Sequence, residues 1–527
     1  MNNSNSSDSN ISALPQTLKD KLIKHNQTHL IKLIERINND DTRNAFIKQI
    51  EHADMQLMNE LYEVYKMSPS SPGEKTFKAD DIAPIEQQYS LMSFSKDEYD
   101  KILHKGYETV AQGKVGLLIL AGGLGTRLGF DKAKGMFNIC MPSNKTLFEY
   151  LCNRFQCNQM KSQEHITHTN TNNDIKCRNS TLFIMTSQHN HKSIVEFFTT
   201  HNYFGLSKDN VIFFPQNEIC ALTLNGKIIT TTPTELYMAP DGNGGCFTAM
   251  KQHNIIQTCE ERNISFLNVV SIDNPLYNVL DPFNVGLLLM KGKCGDDQMS
   301  AKCLKKNDPS EKIGNFLLFK NHPMMLDYME VPNELKSLKK ANGDLVYSAC
   351  NILDYLISVQ FVKKILHDNT KYKELIKQFH FLPKKFKHCE VSFTDNGDVV
   401  VCEENVNGLK FEIFFNSIFE FAGKDGLMLL EIEREKEFAP VKNHEGELTN
   451  TPSLTRMKMS MLFKKLYTNI GGKLLNDNDT CDSNILEFSL LINFDNETNE
   501  TFFKKYPHIP REIDMSKGNV YYDYYSV

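Results

Sequence analysis

Val115-Gly116-Leu117-Leu118-Ile119-Leu120 is an apolar run that stops abruptly in Ala121-Gly122-Gly123-Leu124-Gly125-Thr126-Arg127-Leu128-Gly129. A short apolar stretch ended by glycines predicts a buried parallel strand running into a tight turn. Glycine tolerates positive φ and carries no Cβ, so successive N–H groups in such a turn can face an anion. Arg127 and Lys134 follow at once and add fixed positive charge. Backbone donors and two cations at the carboxyl end of a strand point to a nucleoside triphosphate site.

Two other glycine loops are excluded. A dinucleotide loop needs G-x-G-x-x-G and an acidic residue about 20 positions on. Here Gly123, Gly125 and Gly129 are spaced one residue too long, and no acidic residue closes an evident second strand. A P-loop closes on Gly-Lys-Ser/Thr, whereas Lys134 is followed by Gly135-Met136.

Outward from the loop, apolar runs at Thr181–Met185, Val211–Phe214, Phe266–Ile272 and Leu427–Glu433 alternate with helix-like stretches such as Lys192–Thr199. Strands alternating with helices predict an α/β fold whose mostly parallel, Rossmann-like sheet is covered on both faces, with ligands beyond the carboxyl ends of the strands. Before it, Leu30, Leu33, Ile34 and Ile37 form a helical stripe, Met55 to Tyr65 continue in that style, and Met67 to Gly73 read as a linker. Residues 1–100 are thus expected as a helical N-terminal arm and 446–527 as a small C-terminal domain with a strand within Ile485–Phe494.

Composition bounds the function. With 527 residues, 24% charged, and a net charge of -6, no basic stripe supports nucleic-acid binding. No apolar run reaches the ~20 residues of a membrane span, and the first ten residues lack a secretory hydrophobic segment. A cytoplasmic location is the expectation, and nothing in the chain sets an oligomeric state. Thirteen cysteines without C-x-x-C spacing argue against a disulfide framework and a zinc site. His165, His168, His189 and His191 surround a polar insertion at 162–180 and read as solvated loop histidines.

Leu120 to Gly129, followed by Lys134-Gly135-Met136 and Pro142-Ser143-Asn144-Lys145-Thr146-Leu147-Phe148, resembles the eukaryotic UDP-N-acetylglucosamine pyrophosphorylases. The resemblance returns at Met185-Thr186-Ser187, Tyr203 to Leu206, Val211 to Phe214, Met238 to Gly245 and Phe438 to Asn443, in order over roughly residues 80 to 460. It implies the glycosyltransferase-A-like nucleotidyltransferase fold for a catalytic domain at 101–445, and an activity joining UTP to N-acetylglucosamine 1-phosphate with release of pyrophosphate. Glucose 1-phosphate or a broad sugar range is the alternative. A non-catalytic nucleotide-sugar-binding protein is disfavoured by Arg127, Lys134, Asp273 and Lys442 standing together.

The same resemblance implies site roles. Leu120, Ala121, Gly122 and Gly123 match the nucleotide loop; Arg127 matches the residue at the β/γ-phosphates and Lys134 the one at the α-phosphate. Gln216 matches the glutamine reading the uracil edge, an amide that both donates and accepts. Gly242 matches the glycine under the uracil ring and Lys410 a basic residue at the nucleotide end. Asn243, Asp327, Tyr328 and Asn351 match sugar contacts, and Lys442 the lysine at the sugar phosphate. By residue chemistry alone, Asp241 to Gly244 is also an ordinary turn, and Asp273 is either a helix cap or a ligand for Mg²⁺ (or Mn²⁺). Ala133 stands where the family has proline, which should loosen the turn; Pro215, Ser348 and the short Asp327 are further departures.

Overall fold

The structure, a computed structural model, describes residues 14–67, 77–169, 175–394, 397–477, 484–494 and 498–524. The chain's polar opening and the linker at 68–73 lie outside them. The chain forms two compact units, which cut across chain order: 1–75 with 217–245 and 373–415, and 76–216 with 246–372 and 416–527.

The larger unit is built on a central sheet. Its main path uses β1 (Gln88–Ser90), β2 (Val115–Leu120), β3 (Leu182–Thr186), β4 (Val211–Pro215), β5 (Phe266–Ser271), β6 (Met299–Lys305), β7 (Ala349–Ser358) and β8 (Leu427–Glu431). Their order is β1-β8-β6-β7-β5-β2-β3-β4. All neighbours pair parallel except β7, which runs antiparallel to both β5 and β6. The expected mostly parallel α/β sheet is therefore present. Every residue of β2 is buried, as a strand covered on both faces requires.

β7 departs from regular pairing. Ala301 faces Tyr355 and Cys303 faces Asn351, so Lys302 alone stands opposite Ile352, Leu353 and Asp354. Bulges of this kind re-aim side chains next to functional sites. Leu353 takes a left-handed φ of 63° within it.

The helix Leu147–Thr169 runs into what the sequence reads as a polar loop. His165, expected as a solvated loop residue, is a helix residue 2.8 Å from His104. His191 hydrogen-bonds Thr186. Among the described residues no group of His, Cys, Asp or Glu is arranged to hold a metal, and no helix is long and apolar enough to cross a membrane. In the tail, Leu486–Phe488 pairs with Val520–Tyr522. Glu487 accepts from the Ser143 backbone N–H and from the Ser143 and Tyr150 hydroxyls at 2.7–2.8 Å. The Pro142 to Lys145 motif thus anchors the tail's strand.

In the smaller unit the N-terminal helices pack on β structure. Gln27 bonds the backbone of Gly226 and Ile228, and His29 Nε2 lies 2.9 Å from the Ile228 carbonyl. A long antiparallel ribbon, His380–Thr394 with Gly397–Glu412, joins Leu222–Thr223. Its facing residues Cys389 and Cys402 form a disulfide, Cα atoms 4.0 Å apart. The cysteine spacing argues against a disulfide framework; the structure holds this one bridge among the described residues, and the hairpin register makes it.

Candidate active site

β2 delivers its last residue, Leu120, to a loop that folds back on itself. Gly125 N–H donates to Lys132 O (3.0 Å) and Lys134 N–H to Gly123 O (3.2 Å), with Leu124 facing Ala133 between them. This closure brings Arg127 and Lys134 to one rim. Ala133 holds φ -55°, within proline's range, and its N–H takes no part in the closure, so the turn survives the replacement of proline.

Sequence reasoning missed the residue that pins this loop. Asn190, the N-cap of helix His191–Thr200, donates Nδ2 to Ala121 O (3.3 Å) and Gly122 O (3.1 Å) while its Oδ1 accepts from Ser187 N–H. An Asn opening a helix just after a strand is the available signal. Gln216 follows β4 and is buried, and its Oε1 lies 2.4 Å from where a Cβ on Gly122 would stand. Gly122 is thus glycine because the glutamine fills its side-chain space.

β5 ends beside this loop and places Asp273. Its Oδ2 lies 3.6 Å from Lys134 Nζ and 3.8 Å from Lys442 Nζ, and its Oδ1 accepts from Ser271 Oγ at 2.5 Å. Burial works against the charge of Asp273, but Lys442, Lys134 and the Ser271 hydroxyl hold its carboxyl below the usual range. Lys134 is pushed down, first by burial and then by Lys442 and Arg127, against the pull of Asp273. These residues line a cavity of about 310 Å³ with Gly123 and Gly125. Three cations against one carboxylate leave it positive, which suits a polyphosphate. Asp273 offers a single carboxylate; Mg²⁺ commonly takes one or two, completing its shell from substrate phosphates and water. The donor set fits that use.

A larger cavity, about 790 Å³, shares Asp273 and Lys442 and extends to Asn351, Thr449 and Asn450. Asn351 Oδ1 accepts from Leu353 N–H and Tyr355 Oη within the bulge, both at 2.9 Å. Lys442 is carried by a segment fastened through Val441 N–H to Asp273 O and Lys442 N–H to Asn450 O, each 2.8 Å. Arg434, paired with Glu311 at 2.7 Å, and Lys458 add cations to this wall that the sequence reading did not assign.

Asp327 and Tyr328 are not among that cavity's lining residues. They follow the strand His322–Leu326, whose Leu326 faces Asn315, next to the cavity's Gly314. The Asp327 carboxylate accepts from Met329 N–H in its own turn.

Gly242, Asn243 and Lys410 belong to the smaller unit. Gly242 takes φ +92°, and a Cβ there would meet Ile413 O at 2.4 Å. Ile413 N–H donates to Asp241 O, and Asn243 Oδ1 accepts from Phe415 N–H. The turn is therefore clamped along residues 413–415. Lys410 Nζ pairs with Glu412 at 2.5 Å.

A family described as UTP–glucose-1-phosphate uridylyltransferase matches residues 56–524. The chain is similar to UDP-N-acetylglucosamine diphosphorylase 2 of Arabidopsis thaliana, 29% identical over 462 residues, 87% of this chain and 86% of that protein. It is 31% identical over 373 residues to UDP-N-acetylhexosamine pyrophosphorylase-like protein 1 of Homo sapiens, 70% and 69% of the two chains. The uridine diphosphate N-acetylglucosamine pyrophosphorylase structure from Trypanosoma brucei shares the fold, with a TM-score of 0.71 at 23% identity over 96% of this chain and 99% of that one.

Proposed function

The chain belongs to the UTP–glucose-1-phosphate uridylyltransferase family, and from that premise we propose that it joins UTP and N-acetylglucosamine 1-phosphate into UDP-N-acetylglucosamine, releasing pyrophosphate. The observation carrying this reading is the set of Arg127, Lys134 and Lys442 around Asp273 at the rim of β2 and β5, beside the larger cavity that Asn351, Thr449 and Asn450 line. The sugar comes from the names of the relatives in Arabidopsis and other eukaryotes.

In the reaction, an oxygen of the sugar phosphate attacks the α-phosphorus of UTP. The bond to the oxygen bridging α and β breaks, and its electron pair leaves on pyrophosphate. The protein's task is to bring two anions together and stabilise the charge of the transition state. Leu120 to Gly123 cradle the nucleotide, Lys134 meets the α-phosphate, and Arg127 faces the leaving β/γ-phosphates. Lys442 holds the attacking sugar phosphate. Gln216 reads the uracil edge and Asn351 faces the sugar; Gly242, Asn243 and Lys410, in the smaller unit, and Asp327 and Tyr328, outside the larger cavity's lining, carry only the roles that the family resemblance implies. Asp273 keeps Lys134 and Lys442 in register and would hold Mg²⁺ (or Mn²⁺), which when bound neutralises phosphate charge.

Pyrophosphate release with UTP and a panel of sugar 1-phosphates tests the proposal. N-acetylglucosamine 1-phosphate should give the highest kcat/KM, because polar groups built for an N-acetyl group are left unpaired without it. Equal use of glucose 1-phosphate rejects the sugar; no pyrophosphate from any sugar rejects the reaction.

A further inference from the structure

Lys302, in the middle of β6, is about as buried as a lysine can be, at 1% exposed. Its ammonium lies 2.6 Å from Glu437, 2.8 Å from Asp281 and 3.8 Å from Asp354, and donates to Asn278 O at 3.2 Å. The cluster touches neither Asp273 nor Lys442 directly.

Its partners come from three separate segments, each leading to a residue of the proposed site. Asp281 ends the stretch that begins at Asp273, and it also caps helix Pro282–Lys291 through Phe283 N–H. Asp354 belongs to the β7 bulge that carries Asn351 into the larger cavity, and Lys302 is the residue standing opposite that bulge. Glu437 immediately precedes the Phe438 to Lys442 segment. Glu437 O accepts from Asn274 Nδ2 at 2.7 Å, Ala439 N–H donates to Asn274 Oδ1 at 3.0 Å, and Val441 N–H reaches Asp273 O. The segment carrying Lys442 is thus fixed along its Asp273 side by backbone bonds and at its origin by the Lys302–Glu437 pair.

We propose that Lys302 is a positioning residue for the transfer reaction: through Glu437, Asp354 and Asp281 it sets the relative placement of Lys442, Asn351 and Asp273. A well-packed apolar residue would serve stability as well as a buried ion cluster. What the ammonium adds is direction: its contacts with Glu437 and Asp281, the Asn278 carbonyl, and the charge of Asp354 at 3.8 Å hold together only when their segments stand in one arrangement. The proposal rests on the transferase reading and on Lys442 serving the sugar phosphate.

The test is a double-mutant cycle on the full chain, with kcat/KM for N-acetylglucosamine 1-phosphate and calorimetric UTP affinity as readouts. Glu437→Ala should lower kcat/KM for the sugar phosphate by ~10-fold with UTP affinity unchanged, whereas in a Lys442→Ala background it should add less than ~2-fold, as coupled residues behave. Glu437→Gln, which can still accept from Lys302, should restore most of the loss. Amide exchange at Ala439 and Val441 should quicken in Glu437→Ala, a readout that needs no turnover. Equal losses in both backgrounds, or a matching loss of UTP affinity, overturn the proposal and leave the cluster a structural one. If Glu437→Ala does not fold, Asp354→Asn combined with Asn351→Ala runs the same cycle and is decided by the same criterion. Failure of Lys442→Ala alone to affect the sugar phosphate would instead refute the underlying reading.

Discussion

Replacing Lys134 with alanine removes the deepest cation of the phosphate rim. Its Nζ stands 3.6 Å from Asp273, with the two side chains only 17% and 15% exposed. At that depth an effective dielectric near ~20 gives a charge pair about 4 kcal/mol at roughly 4 Å, which bounds what Lys134 can offer an α-phosphate oxygen at similar range. Deleting one preorganised charge stabiliser typically removes ~10²–10³ in turnover, within that bound, and that loss is expected for Lys134→Ala. The loop should keep its shape, because its closure uses the Lys134 N–H to Gly123 O bond, which alanine retains. Asp273 would lose one of its two lysines, so its depressed carboxyl pKa should move up. A depressed carboxylate stabilises the fold above its unfolded pKa and loses that contribution as pH falls through its folded pKa; the variant's acid unfolding should therefore begin at higher pH. Pyrophosphate release under saturating substrates, with calorimetric UTP binding and thermal melting as controls, checks the point. Turnover within a few-fold of the parent, in a folded protein, would remove Lys134 from the chemistry. An unchanged kcat with a raised KM would make it a ground-state binder.

Excess chelator should abolish pyrophosphate release, and Asp273→Asn should raise the Mg²⁺ concentration needed for half-maximal rate; full activity in chelator refutes the metal role. Gly122→Ala sets a Cβ 2.4 Å from Gln216 Oε1, and displacing that buried amide should raise the KM for UTP by ~10-fold, the scale of a modest overpacking cost; an unchanged KM would detach Gln216 from the nucleotide. His29 is pushed down to about 4 from 6.5, chiefly by burial, so the unfolded chain binds the extra proton between those values. Stability should fall as pH drops through that window, by up to about 3 kcal/mol, and His29→Gln should flatten the melting temperature between pH 7 and 4.5; an equal slope in both proteins would refute it.

What the sequence made legible was local. β2 and its glycine turn, and β5 leading to Asp273, are continuous apolar runs whose ends announce themselves, and the structure joins them as adjacent parallel strands. That adjacency is why Arg127, Lys134 and Asp273, noted separately in the chain, meet at one rim. β7 was missed because its antiparallel direction is a choice among partners distant in sequence, and its bulge follows from the register against β6. Cys389 and Cys402 were obscured in the same way, since only the ribbon's register sets them face to face.

Lys302 shows the limit most sharply. In Met299-Ser300-Ala301-Lys302-Cys303-Leu304-Lys305 no local motif sets the lysine apart, and only the sheet order makes β6 interior, flanked by β8 and β7. Its three carboxylates arrive from residues 281, 354 and 437, so no window of sequence contains the interaction. Residues that touch substrate can be found by motif because phosphate chemistry restricts their type and spacing. Residues that hold those groups in place are restricted only by where folding brings them. The buried ammonium is legible once burial, distance and chain direction are considered together, and its coupling to Lys442 is then a measurable consequence of the fold.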